Sequence, residues 1–256
     1  MNTSSLIICK NADLLAVRAA DFITECAREA IYERGYFAIA LAGGATPAPT
    51  YALLATPERQ NAIAWEKTYV FFSDERFVPH SDVRSNFAMA QRSLLAHVPI
   101  RPQQVFPVPV HPKSPAVAAV EYAERLADFF AIRAGDPPPP FDLVLLGVGD
   151  DGHTASLFPG SSGLQVEDAW VISSSPGMLH DHLDRVTFTF PLINAARHVA
   201  FLVTGEKKAS VLWSVFEGQA AREDCPAVGV QPVSGTLTWF VDEAAARQLT
   251  QGPGTA

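Results

Sequence analysis

Short apolar runs that stop abruptly at glycine or charged residues recur along this chain, with helix-length segments between them. The sharpest case is 141–146, FDLVLL, which runs directly into GVGDDGHTASLFPG at 147–160. A short apolar run bounded by turn residues suits a strand buried on both faces. Such strands, alternating with helices, belong to parallel sheets covered on both sides. Segments 37–42, entering Gly43-Gly44, and 69–72, entering Ser73-Asp74-Glu75-Arg76, repeat the pattern. Further strands are predicted at 170–173, 186–190, 199–204 and 237–241, with a short extended piece at 105–110. Helices are predicted where Leu15, Ala19, Phe22, Ile23, Cys26 and Ala30 recur at helical spacing, stopping at Gly35, and at 85–96, 115–133, 206–216 and 242–249. Gly135 and the prolines at 137–140 end the long helix, and the proline run reads as a stiff surface loop, not a domain linker. The expected fold class is therefore α/β: one domain over 1–256, a mostly parallel, Rossmann-like sheet with helices on both faces, and a frayed tail at 251–256.

Composition narrows the ligand. The 256 residues are 48% hydrophobic and 18% charged, as in an ordinary globular protein, and the formal net charge is −8. No Lys/Arg-rich run supplies the basic face that nucleic acid needs, so no nucleic-acid partner is expected. An anionic substrate has to be held by a few placed cations. Cys9, Cys26 and Cys225 are scattered and form no CxxC pair, which suits a reducing compartment and offers neither a disulfide framework nor a zinc site. Met1-Asn2-Thr3-Ser4-Ser5 has none of the basic and apolar regions of a signal peptide. No apolar run approaches the ~18 residues of a membrane span. A cytoplasmic protein without membrane contact is expected. His180-Asp181-His182 with Asp184 resembles a metal set but lacks a third ligand group at recognisable spacing, so no metal is assigned. Trp65, Trp170, Trp213 and Trp239 lie among apolar residues and are expected in the core.

Ligands of open α/β sheets bind in the crevice outside the carboxyl ends of the strands. Three predicted exits carry chemistry there. In Gly43-Gly44-Ala45-Thr46-Pro47, paired glycines let backbone N–H groups approach an anion, Thr46 adds a hydroxyl, and Pro47 suits the first helical position. No GK[ST] follows, so this is not a Walker loop; alone, it is equally a strand-to-helix turn. Asp74, Glu75 and Arg76 are either crevice groups, with Arg76 forking onto a phosphate, or a solvated turn; Ser85-Asn86 reads as the cap of the next helix. In the third, His153 suits a general base because an imidazole titrates near working pH. Asp151, two residues earlier, is placed to orient it, whereas Asp150 reads as a bystander. The alternative is that Asp151 merely caps a turn at Gly152. Lys207 and Lys208 begin a predicted helix, and Arg185 stands at the mouth of an alternating strand.

Together these segments resemble the 6-phosphogluconolactonase family: LAGGATP at 41–47, SDER at 73–76, GVGDDGHTASLFPG at 147–160, RVTFTFPLINAAR at 185–197, TGEKKA at 204–209 and LTWFVDEAAA at 237–246, in order along nearly the whole chain. DGHTASLFPG is the most specific. Ala45 departs from the family's usual serine, which removes one hydroxyl donor to a phosphate. The resemblance implies a fold related to sugar-phosphate isomerases and deaminases. It implies hydrolysis of 6-phospho-D-glucono-1,5-lactone to 6-phosphogluconate in the oxidative pentose phosphate pathway, a small phosphorylated lactone as partner, and no metal or organic cofactor. On that pattern Gly43, Gly44, Thr46, Arg76 and Lys208 hold phosphate, with Arg185 nearby. His153 activates water with Asp151 behind it, and Asp74 and Gly152 support the site. The related deaminases carry an acid seven residues after the motif aspartate, where this chain has Phe158. A non-catalytic sugar-phosphate sensor is the remaining alternative.

Overall fold

The computed structural model describes residues 3–111, 113–133, 136–176 and 182–250. The expected stop at Gly135, the His180-Asp181 pair and the tail at 251–256 lie outside them. Nine strands run β1 Thr3–Cys9, β2 Phe37–Leu41, β3 Thr68–Phe72, β4 Asp74–Arg76, β5 Leu143–Leu146, β6 Val171–Ser174, β7 Arg185–Phe188, β8 His198–Val203 and β9 Thr236–Asp242 among the described residues. The helices are α1 Ala12–Arg34, α2 Ala48–Leu54, α3 Asn86–Ala90, α4 Pro115–Phe130, α5 Phe190–Asn194, α6 Ala209–Phe216 and α7 Glu243–Ala246, with short helical turns between some of them.

Six strands form a wholly parallel sheet in the order β1-β9-β8-β5-β2-β3. β2 and β5 are buried at every position, which is why both read as unbroken apolar runs. α1 lies against β1, β2, β8 and β9. Asn11 starts it by accepting the Leu14 N–H at 2.9 Å, and Gly35, at φ 83°, ends it in the left-handed conformation that a side chain would oppose. Leu15, Ala19, Ile23, Cys26 and Ala30 form its buried stripe. Among the described residues no helix is long and apolar enough to cross a membrane.

The predicted strands at 170–173 and 186–190 do not join this sheet. They form β6 and β7 of a separate antiparallel sheet, β4-β7-β6, against which α4 packs. The chain changes sheets across one residue: Ser73 donates its N–H to Leu41 O (3.0 Å), while its carbonyl accepts the Phe188 N–H (2.8 Å). Residues 74–76, one reading of which was a solvated turn, are thus a strand. Phe190 belongs to α5, because Pro191 sits in that helix's first turn. α4 stops at Phe130, short of Arg133, with Ala131 left-handed at φ 52°. Trp65 and Trp239 are core, but Trp213 is 44% exposed on α6.

Candidate active site

The loops leaving β2, β3, β5 and β8 enclose a pocket of about 260 Å³. Of the residues expected in a site, Gly43, Gly44, Thr46, Asp74, Arg76, His153 and Lys208 line it, as does Ala45. Tyr51 of α2 anchors the base of the glycine loop, its hydroxyl accepting the Ala42 N–H (3.1 Å) and donating to Ala42 O (2.9 Å). Gly44 takes φ 92°, and Thr46 Oγ1 lies 3.3 Å from Thr204 Oγ1 across the pocket.

His153 and Asp151 form a pair, with Nδ1 and Oδ1 2.6 Å apart. A carboxylate at Nδ1 favours the tautomer protonated there, which puts the lone pair on Nε2. The ring rests on Phe158 at a centroid distance of 4.9 Å. The turn is tied by Gly149 N–H to His153 O (2.8 Å) and Gly152 N–H to Gly149 O (3.1 Å). Gly152, at φ 86°, leaves no room for a side chain, since a Cβ there would come within 2.7 Å of Cys225 Sγ. Asp151 Oδ1 contacts the ring and also accepts the His153 backbone N–H (3.2 Å), so the same carboxylate caps the turn and lies against the imidazole. Gly152 supports the turn from behind without lining the pocket.

The three charged residues after β3 have distinct contacts. Asp74 lines the pocket, with Oδ2 accepting from Ser156 Oγ (2.6 Å) and Oδ1 from Asn86 Nδ2 (3.1 Å). Glu75 is 1% exposed and turned inward, accepting the N–H groups of Arg76, Asn86 and Phe87 and the Ser85 hydroxyl at 2.6–2.9 Å. Burial pushes its carboxyl above the ordinary value while those hydrogen bonds pull the other way. Its work is to fasten the start of α3 to β4. Arg76 is held by Nη1 on Arg84 O at 2.7 Å. It lies opposite Arg185 in the β4–β7 register, and Arg185 is 6% exposed. Arg76 lines the pocket, whereas Arg185, expected beside the phosphate, is not among the lining residues.

Asn86, Ser156 and Asp150 carry contacts that the sequence reading did not assign. Ser85 does cap α3, accepting the Ala88 N–H at 3.1 Å, but Asn86 turns its amide to Asp74. Asp150, read as a bystander to His153, contacts Lys208 instead: its Oδ1 lies 2.5 Å from Lys208 Nζ. Lys208 faces the pocket while Lys207 is exposed. The lysine loop is held by Asp242, whose carboxylate accepts the Gly205 N–H (3.0 and 3.1 Å) and caps α7 through the Ala245 N–H (2.8 Å). Spacing gives no access to pairs so remote in sequence.

Gly43 is sterically required. A Cβ there would lie 1.9 Å from Asn86 Oδ1 and 2.4 Å from Nδ2. Gly43→Ala is expected to cost about 1–3 kcal/mol of stability, the usual scale of overpacking, and to weaken binding of inorganic phosphate. Urea unfolding and calorimetry would check both; an unchanged unfolding midpoint would contradict the steric argument.

Comparison with known proteins follows this geometry. The family model described as glucosamine-6-phosphate isomerases/6-phosphogluconolactonase matches residues 10–239. A 6-phosphogluconolactonase of Synechocystis sp. is 42% identical over 239 residues, covering 93% of this chain and 95% of that protein. The structure of 6-phosphogluconolactonase from Trypanosoma cruzi superposes with a TM-score of 0.83 at 30% identity, covering 98% of this chain and 99% of that one. A monomeric glucosamine-6-phosphate deaminase superposes at 0.78 with 18% identity over 95% of this chain and 99% of its own, a likeness of fold alone. A parallel sheet with its pocket at the strand exits, and a match running almost end to end, have one reading: the chain belongs to the glucosamine-6-phosphate isomerase/6-phosphogluconolactonase family.

Proposed function

We propose that this protein is a cytoplasmic 6-phosphogluconolactonase, hydrolysing 6-phospho-D-glucono-1,5-lactone to 6-phosphogluconate in the oxidative pentose phosphate pathway. One observation carries the reading: the His153–Asp151 pair and a separate set of anion-binding groups at 43–46, 76 and 208 meet in one pocket. The backbone N–H groups of Gly43 and Gly44, the Thr46 hydroxyl, Arg76 and Lys208 hold the phosphate, which fixes the lactone ring toward His153. Nε2 of His153 takes a proton from water as its oxygen attacks the lactone carbonyl. Asp151 stabilises the imidazolium that results. Arg185 or loop N–H groups stabilise the tetrahedral oxyanion. Collapse breaks the bond from the carbonyl carbon to the ring oxygen, and the imidazolium returns its proton to that oxygen, which leaves as the C5 hydroxyl. A lactone is already an activated ester, so a base contributing ~10²–10⁴ in rate is enough to matter.

Phe158 supports this reading over an aminosugar-phosphate deaminase. It is 6% exposed and packed on the catalytic ring, where it cannot carry a proton. The test is a lactonase assay corrected for spontaneous hydrolysis, with glucosamine 6-phosphate as a parallel substrate. Accelerated lactone opening without ammonia release is expected; ammonia release, or binding of 6-phosphogluconate with no acceleration, would overturn the assignment.

A further inference from the structure

We propose that Asp150 is an affinity-setting residue that weakens the hold of the pocket on phosphate by sharing the ammonium of Lys208. The inference rests on the phosphate site proposed above. Lys208 lines the pocket, yet its Nζ already contacts Asp150 Oδ1 at 2.5 Å, and the two side chains are 24% and 63% exposed. An ammonium has three N–H donors, so it keeps two for a phosphate without releasing the carboxylate. A phosphate oxygen bound to those donors lies about 4–5 Å from Asp150 Oδ1, two hydrogen bonds diverging at the tetrahedral angle from one nitrogen. At that separation a carboxylate and a dianion repel through partly screened water strongly enough to change affinity by about three- to tenfold.

The chemistry of the reaction makes this weakening useful. Substrate and product carry the same phosphate, so tight phosphate binding would hold both alike and delay release without speeding the chemical step. The product also acquires a second anionic group, its new carboxylate. Asp150 sets the strength of the shared contact while leaving Lys208 aimed into the pocket.

Asp150→Asn keeps the shape and one acceptor oxygen but removes the charge. Inhibition constants for inorganic phosphate and 6-phosphogluconate, measured in the lactonase assay, are both expected to fall about three- to tenfold, with KM falling alongside and kcat not rising. The gain should shrink in 0.5 M salt, on the order of the screening at that ionic strength. In a Lys208→Met background the same change should shift the constants less than about twofold, because nothing then holds Asp150 at the site. Unchanged or weaker binding in Asp150→Asn, or an equal gain without Lys208, would overturn the proposal while leaving the phosphate site standing. If wild-type protein binds neither ligand, or Lys208→Met weakens neither, the phosphate assignment itself fails and this inference falls with it.

Discussion

His153→Ala is expected to lower kcat for lactone hydrolysis by ~10²–10⁴, the usual contribution of a positioned general base. The loss should fall on turnover and spare phosphate affinity, because the groups assigned to phosphate lie on other strand exits, at 43–46, 76 and 208. Folding should survive as well. The ring is partly exposed at the pocket wall, and the backbone ties of its turn do not involve the imidazole. Initial rates above the spontaneous background give kcat, and calorimetry with 6-phosphogluconate gives the retained affinity. Turnover close to wild type would remove the histidine from the mechanism.

Gly149→Ala is expected to be nearly as damaging, for a geometric reason. A Cβ at that position would lie 2.1 Å from His153 Nδ1, 2.3 Å from Cε1 and 2.4 Å from Asp151 Oδ1. Its backbone is not among the positive-φ residues, so alanine strains nothing locally and acts as a wedge between base and carboxylate. Displacing a catalytic group by about 1 Å costs on the order of 10²-fold in rate, and kcat should fall by roughly that factor. The double substitution with His153→Ala identifies the cause. With the ring gone, the wedge has no imidazole to displace, so the second change should cost little more. Additive losses would mean that Gly149 acts by another route.

The legible part of this fold was the part buried on both faces. β2, β3, β5, β8 and β9 announce themselves as apolar runs because neither side of those strands meets much water. β1 was missed: its apolar run Leu6–Cys9 is no longer than four residues, follows two serines, and lies on a largely exposed edge strand. β4 was missed for a different reason. Asp74, Glu75 and Arg76 read as a polar exit, and only tertiary structure supplies the buried acceptors and donors that let a carboxylate such as Glu75 lie inside. The site divides in the same way. Local signals, glycines beside hydroxyls and an acid two residues before a histidine, located the loops and the His153–Asp151 pair. Contacts between residues remote in sequence, such as Ser156 with Asp74 or Asp150 with Lys208, carry no periodicity and leave no trace in spacing.

The edge strand also bears on how the chain is made. β1 pairs in parallel with β9, from Thr3 beside Thr236 to Cys9 beside Asp242. Synthesis proceeds toward the carboxyl end, so β1 emerges well before β9 and waits for its sheet neighbour while the segments between them are translated. Closing so long a loop is entropically unfavourable and slow. β2, β3 and β5 can associate early, whereas β1 is among the last of these strands to be fixed. In a cell, β1 is therefore a strand whose backbone stays unpaired, and open to wrong partners, until β9 arrives.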